Sequence, residues 1–336
     1  MRFLPLPVKA FRPYSLSRMA APATRPDVFV IVLNWNRWPE TRACMEALVA
    51  TDYEPKRLVV VDNGSEDPPT REEALRLGAH DFFQTGANLG YAGGNNVGLR
   101  HAVAEGADFA WILNNDTVVD PAALSHLTAI AVAHPRVGVL TTNVRLTDGR
   151  HARDVAFSGD SRDGPWNYFG SLHPVSCDGC GEEFHRAGGV RGPSLFFRVA
   201  ALADSGLLDE DYFHYYEEID LVERLRRAGW SSGLVCRAFV THAAGGTLSY
   251  QTGESIYYLF RNWLLFRKKL YCESPLGVLA RHPFRFTRYL IAARHTARGD
   301  LLPLRSHLLA FVDAIRGRHG RRRLGPAFQK RIAFDR

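Results

Sequence analysis

The apolar positions of this chain fall into two alternating patterns. Short runs with no period, such as Val28-Phe-Val-Ile-Val-Leu33 and Leu58-Val-Val-Val61, have the look of strands buried on both faces. Between them lie segments with helical spacing, the first opening at Pro39 and carrying Cys44, Leu48 and Val49 to about Ala50. Further elements follow: a helix over 71–77, a short strand over 81–84, and a Gly/Asn-rich loop over 88–98 that opens a helix reaching about Glu105. The run Phe109-Ala-Trp-Ile-Leu-Asn-Asn-Asp116-Thr117 is a buried strand that passes directly into a polar end. Strands alternating with helices at this spacing predict βαβ units and a mostly parallel sheet flanked by helices.

The second half is less regular. A helix over 121–133 and a strand over 137–140 precede a stretch from about Arg145 to Arg186 that is rich in Gly, Asp, His and Cys and has little periodicity. A strand over 190–198 and a short helix over 200–204 come next. The aromatic lead-in Tyr212-Phe-His-Tyr-Tyr216 then opens a helix with Ile219, Leu221, Val222 and Leu225 on its buried side. A strand over 233–240 delivers His242. From Ser255 onward the pattern mixes Leu, Phe, Tyr and Arg in amphipathic helices.

Length and charge sharpen this picture. With 336 residues, 46% of them hydrophobic, the chain can build one large or two modest cores. The formal charge of +7 is concentrated late, in arginines from Arg281 to Arg323, which favours a phosphate-bearing partner. Residues 1–26 contain no acidic residue and no signal-peptide core, so they read as a disordered leader, with Met19 as an alternative start. No run approaches the ~20 apolar residues needed to cross a bilayer. Five cysteines form no dense framework, which suits a reducing compartment and a cytoplasmic protein. The pair Cys177-Asp-Gly-Cys180 is either half of a zinc site completed by His173, His185 or His242, or a pair of loop thiols, since no second Cys-x-x-Cys occurs.

Three successive strands end in Asn or Asp, and in an open α/β sheet ligands sit at those carboxyl ends. Asp116, flanked by Asn114 and Asn115, could therefore hold Mg²⁺ or Mn²⁺ against a diphosphate, or cap the following helix. His242, at the end of a strand in the same sheet, could reach that metal or be an ordinary core histidine. Glu217, Glu218 and Asp220 crowd one helical turn. They either favour the helix N-terminus or place a carboxylate in an aromatic, partly dry pocket suited to general-base work. No Gly-x-Gly-x-x-Gly follows the first strand and no phosphate-binding Gly-x-x-x-x-Gly-Lys-Ser/Thr occurs, which excludes those two nucleotide sites.

Taken together, Val30-Ile-Val-Leu-Asn-Trp-Asn36, Val60-Val-Asp-Asn-Gly-Ser65, Asn88-Leu-Gly-Tyr-Ala-Gly-Gly-Asn-Asn96, Leu113-Asn-Asn-Asp-Thr117, Phe213-His-Tyr-Tyr-Glu-Glu-Ile-Asp-Leu221 and His242 resemble the inverting, nucleotide-sugar-dependent glycosyltransferases of family two, with the GT-A fold, and especially rhamnosyltransferase-like members. The resemblance covers about residues 28–247. It implies a GT-A domain over 27–247 followed by a basic helical C-terminal region over 248–336. It also implies that Asn34, Asp62, Asn88, Asn115 and Asp116 line the donor site, that Asp116 and His242 hold the metal, and that Glu218, with Glu217 and Asp220 as alternatives, is the base. Glu218 stands where the family usually has Asp, and Asn-Asn-Asp stands where many members have two or three Asp. Arg191 and Ser194 fall on the acceptor side.

The implied reaction is transfer of a sugar from a nucleoside diphosphate sugar, with deoxythymidine diphosphate rhamnose as the first candidate, to a hydroxyl of a glycan or lipid-linked acceptor in cell-envelope polysaccharide synthesis. An anionic membrane surface is a further expected partner of the basic tail. Two other readings are a non-catalytic nucleotide-sugar sensor on the same fold, indifferent to loss of Glu218, and a nucleic-acid-binding protein using the tail. The tail resembles no known nucleic-acid reader.

Overall fold

A computed structural model describes residues 25–152, 155–158, 173–175, 177, 180–242, 250–281, 301–329 and 331–333. The leader expected over 1–26 lies almost wholly outside these residues, as do the arginines between 282 and 300 and the boundary expected at 247/248.

The first half follows the βαβ expectation. Strands β1 (Val28–Asn34), β2 (Lys56–Asp62), β3 (Asp81–Gln84) and β4 (Phe109–Asn114) pair in parallel in the order β3-β2-β1-β4, with helices α1 (Trp38–Val49), α2 (Arg71–Arg76) and α3 (Gly90–Glu105) as crossovers. Val28 to Val32 are fully buried, which explains the run without a period: both faces of β1 carry helices or neighbouring chain. Asn34 is in register with Asp62, and Leu33 with Asn114, so the polar ends of β1, β2 and β4 share one edge.

α3 departs from the expected loop, because the Gly/Asn stretch is already helical from Gly90. Packing explains it. A Cβ on Gly94 would stand 2.5 Å from Leu33 Cδ1 and one on Gly98 2.5 Å from Ile31 Cγ2, so the glycines let this helix lie closely on β1. Their weak helix propensity is overridden by that contact.

Beyond β4 come β5 (Thr117–Val119), α4 (Ala123–Ala133), β6 (Val137–Leu146), the small strands β7 (Ala156–Ser158), β8 (His173–Pro174), β9 (Phe184–Ala187) and β10 (Gly189–Val190), then β11 (Ser194–Arg198), α5 (Val199–Ser205), α6 (Glu217–Arg227) and β12 (Ser231–His242). The sheet continues from β4 as β11-β6-β12-β5, with β9 also on β12, mixing antiparallel ladders with the long parallel pair β6–β12. The segment expected as one strand over 190–198 is two, β10 and β11, because Gly192, at φ +108°, turns the chain between them. The chain ends with β13 (Tyr250–Thr252), α7 (Gly253–Tyr271), α8 (Pro275–Arg281), α9 (Leu302–Ile315) and β14 (Arg331–Ala333).

A second apolar cluster joins the aromatic lead-in of α6 to α7 and α9 through Tyr212, Tyr216, Tyr257, Tyr258, Phe260 and Phe266. The C-terminal helices therefore pack directly behind the residues that precede Glu217. Among the described residues, no helix is long and apolar enough to cross a membrane.

Candidate active site

Asp116 lies in the turn between β4 and β5. The antiparallel register of β12 on β5 sets His242 opposite Thr117, the residue after Asp116. That pairing brings His242 Nε2 to 3.0 Å from Asp116 Oδ1, both side chains being mostly buried. Burial works to raise the Asp116 carboxyl, but the hydrogen bond and charge of His242, with help from its own backbone and Arg37, hold it below the usual carboxylate range. Beneath it, burial pushes the Cys44 thiol up to about 12, so this cysteine is a protonated core residue.

The ends of β1 and β2 form a hydrogen-bonded group. Asn34 Nδ2 donates to Asp62 Oδ1 at 2.8 Å, Ser65 Oγ donates to the same oxygen at 2.6 Å, and the Ser65 amide donates to Asp62 Oδ2 at 3.2 Å. Thr41 Oγ donates to Asn34 Oδ1 at 2.8 Å, while Asn115 Nδ2 donates to Thr41 Oγ at 2.9 Å. Asn34, Asp62 and Asn115 are thus tied together through Ser65, which closes a quoted motif but was given no role, and Thr41, which no quoted motif contains. Asn88 sits one strand further on, its Oδ1 accepting from the Gly90 amide at 2.8 Å at the start of α3.

The acid cluster is delivered by a strained segment. Phe213, Tyr215 and Tyr216 all have positive φ, at 66°, 68° and 79°, which costs about 1–2 kcal/mol for each non-glycine residue. The fully buried Asn262 of α7 holds them: its Nδ2 donates to the carbonyls of Tyr212, His214 and Tyr215 at 2.8–2.9 Å. Arg261 adds a bond to the Tyr212 carbonyl at 3.0 Å and two to Asn262 Oδ1. On the other side the Tyr91 amide donates to the Phe213 carbonyl at 2.7 Å, and a Cβ on Gly90 would stand 2.2 Å from that oxygen.

Glu217 and Glu218 start α6 almost out of solvent. Burial, and Glu218 beside it, push the Glu217 carboxyl well above its ordinary range. Tyr91 stands within electrostatic reach of Glu218, Glu217 and Asp116 together, and its phenol is pushed well up, first by desolvation and then by those three carboxylates. Sequence reasoning missed Tyr91 as a site residue, although it lies inside a quoted motif. It bridges the Asp116 edge and the acid pair. His214, ring to ring with Tyr215 at 3.9 Å, is pushed down to about 4 by burial and stays neutral.

Three expected site residues have other occupations. Asp220 accepts from Tyr212 Oη at 3.0 Å and Arg224 Nε at 2.6 Å, and Arg224 continues to the Leu207 carbonyl, so this carboxylate fastens α6 to the segment after α5. Ser194 is fully buried in β11 with its Oγ accepting from Trp111 Nε1 at 2.9 Å. Arg191 is also buried, its guanidinium 6.0 Å from the Phe157 ring, and faces the insertion instead of open solvent. The expected loop thiol Cys177 is joined in a disulfide to Cys236, a partner remote in sequence.

A sheet of this order, with its polar strand ends on one edge and the acid cluster on a helix behind them, is the architecture of the GT-A glycosyltransferases. The Staphylococcus aureus TarS 1–349 structure in complex with UDP-GlcNAc superposes with a TM-score of 0.55 at 17% identity, over 86% of this chain and 81% of that one. The structure of GalNAc-T7 with UDP, GalNAc and Mn²⁺ superposes with a TM-score of 0.60 at 12% identity, over 88% of this chain and 57% of that one. The family model described as Glycosyl transferase family 2 matches residues 29–169. The N-acetylglucosaminyl-diphospho-decaprenol L-rhamnosyltransferase of Mycobacterium tuberculosis (strain CDC 1551 / Oshkosh) is 26% identical over 88% of this chain and 96% of its own length. Residues 29–169 thus carry a glycosyl transferase family 2 domain, and the chain is similar to relatives that include a rhamnosyltransferase.

Proposed function

We propose that this glycosyltransferase moves a sugar, with inversion, from a nucleoside diphosphate donor to a hydroxyl of a lipid-linked or glycan acceptor. The observation that carries this reading is the meeting of Asp116 and His242 at 3.0 Å on the carboxyl edge of the sheet, with Tyr91 between them and the Glu217–Glu218 pair. Asp116 and His242 would hold a divalent cation. Their donor set fits one: an ionised carboxylate oxygen and an imidazole nitrogen, with Asp116 already biased towards its charged form. Such a cation, Mn²⁺ or Mg²⁺, supplies Lewis-acid stabilisation of the departing diphosphate.

The protein's own side chains would do the rest. Asn34, Asp62 and Asn115 form a pre-set polar floor for the nucleoside end of the donor, with Asn88 at its side. Burial biases the Glu217 carboxyl towards its neutral form, which favours Glu218 as the base that takes the acceptor hydroxyl proton as that oxygen attacks the anomeric carbon. The nucleoside diphosphate departs from the opposite face, so a single displacement inverts the centre.

The tuberculosis relative is named for a polyprenyl-diphosphate acceptor and for L-rhamnose, which supports a lipid diphosphate acceptor and a deoxythymidine diphosphate rhamnose donor here. A basic cavity of about 400 Å³, bounded by Arg261, Arg318, Arg321 and Arg322, supports a phosphate-bearing ligand; its Arg321 reaches the Asn88 carbonyl at 3.5 Å. Exposed Leu301, Leu308, Val312 and Ile315 run along α9 beside Arg305 and Arg316, which supports peripheral contact with an anionic membrane. The test is a transfer assay with a panel of nucleoside diphosphate sugars and an N-acetylglucosaminyl polyprenyl diphosphate, with product anomer read by NMR. Transfer with inversion from one donor is expected. Retention, or no transfer from any donor, would sink the proposal.

A further inference from the structure

Four potential soft ligands converge far from the carboxyl edge. Cys177, Cys180, His185 and Cys236 bring their ligand atoms within 4.8 Å of one another. The fold explains how. β9 pairs antiparallel with β12, Leu234 opposite His185, and the Cys236 amide donates to the Glu183 carbonyl at 2.9 Å, so His185 and Cys236 lie on adjoining strands. The Cys180 amide donates to the Cys177 carbonyl at 3.4 Å, which keeps these two cysteines together. His185 Nε2 is buried and makes no hydrogen bond, which is costly for a ring nitrogen unless something else binds it.

We propose that in its dithiol form this cluster is a structural Zn²⁺ site with Cys177, Cys180, Cys236 and His185 as the four ligands. Three cysteines and one histidine are a closed tetrahedral set for zinc. With Zn–S near 2.3 Å, sulfurs at two corners of a tetrahedron stand about 3.8 Å apart, and Cys180 Sγ lies 3.8 Å from Cys236 Sγ. Loading needs no electron transfer: three thiols release three protons to water, and the His185 imidazole offers a ring-nitrogen lone pair. The Cys177–Cys236 disulfide and the zinc site use the same sulfurs and exclude each other. Passing from disulfide to zinc takes two electrons and two protons from a thiol reductant, after which the three thiols are deprotonated as above.

Position gives the site its role. Cys236 lies where the β6–β12 ladder slips register, between Val235 and Phe239, six residues before His242. Zinc would pin the irregular insertion to that slip and fix the strand that carries His242 to Asp116. This inference stands apart from the sugar-transfer reading, since neither the metal nor its test depends on turnover.

The full-length chain should be purified from a reducing cytosol and analysed for zinc by native mass spectrometry and elemental analysis, with thiols counted by alkylation. One zinc per chain is expected, with the three cluster cysteines protected from alkylation by the metal in addition to the buried Cys44, and cobalt exchange should give the visible absorption of tetrahedral thiolate coordination. Cys180→Ser and His185→Ala should each weaken zinc retention at least tenfold against a chelator, while Cys272→Ser, outside the cluster, should leave it unchanged. A chain that carries no zinc and, after reduction by a dithiol, takes up none from added ZnCl₂ would overturn the proposal, as would retention unaltered in both ligand variants.

Discussion

Asn262→Ala isolates the link between the C-terminal helices and the acid pair. Asn262 Nδ2 faces three main-chain carbonyls, and its two protons satisfy at most two at once; its Oδ1 accepts from the Arg261 guanidinium. Two neutral hydrogen bonds at about 1 kcal/mol each and one to a charged donor at about 1.5 kcal/mol give a loss near 3 to 4 kcal/mol. That is at least two decades in the unfolding equilibrium. The same segment holds three non-glycine residues at positive φ, and the truncated protein recovers part of that loss by letting Phe213–Tyr216 change conformation. Glu217 and Glu218 move with it. Displacement of a reacting group by about 1 Å can cost ~10²-fold in rate. The variant should therefore unfold at lower denaturant, lose at least tenfold in kcat, and keep donor affinity within about twofold, because the Asn34–Asp62 floor lies on other elements. Urea unfolding, steady-state kinetics and donor titration read the three effects. Wild-type kcat with an unchanged denaturant midpoint would refute the claim that α7 holds the acid loop in place.

Other perturbations test separate parts. Glu218→Gln should lower kcat at least 10²-fold, as removal of a general base does, whereas Glu217→Gln replaces a carboxyl that burial biases towards its neutral form and should keep most activity; equal losses would remove the distinction. Gly90→Ala combines φ of +78° with a Cβ 2.2 Å from the Phe213 carbonyl and should destabilise by about 2 kcal/mol or more in urea unfolding, with kcat falling as well. Glu223 has its carboxyl pulled down to about 2: burial raises it, but bonds from Arg226, Arg227 and Tyr271 win. Because its folded value lies below the unfolded one, its stabilisation is complete above about pH 5 and lost as pH falls towards 2. With both arginines at least two-fifths exposed, that contribution is on the order of 1–2 kcal/mol. Glu223→Gln should therefore be less stable than wild type at pH 7 and converge with it on acidification; a constant gap would contradict the assignment.

Much of the parallel half was legible because burial on both faces writes itself as runs such as Val28–Leu33, and the Asn and Asp at strand ends mark the ligand edge. The pairing of Asp116 with His242 was readable as chemistry, but its cause, the β5–β12 register, is a contact across more than a hundred residues that no local pattern encodes. Gly94 and Gly98 misled the helix boundary, since their value lies in the Leu33 and Ile31 side chains of β1 beneath them, which propensity does not contain. Asp220 and Glu217 belong to the same helical turn yet differ in role. Only the position of Arg224 and Tyr212 in three dimensions separates an anchoring carboxylate from a site one. Cys236 illustrates the same limit, carrying no motif until β9 lies beside β12.

The central claim is that Asp116 and His242 form a cation site that binds the donor diphosphate. It is tested most directly by calorimetric titration of the nucleoside diphosphate sugar that supports turnover, with and without Mn²⁺, into wild type, Asp116→Ala and His242→Ala. Donor binding strengthened at least tenfold by Mn²⁺ in wild type, with that gain lost in Asp116→Ala and reduced in His242→Ala, is the predicted result. Donor binding that ignores Mn²⁺, or a Mn²⁺ gain that survives loss of Asp116, would contradict it.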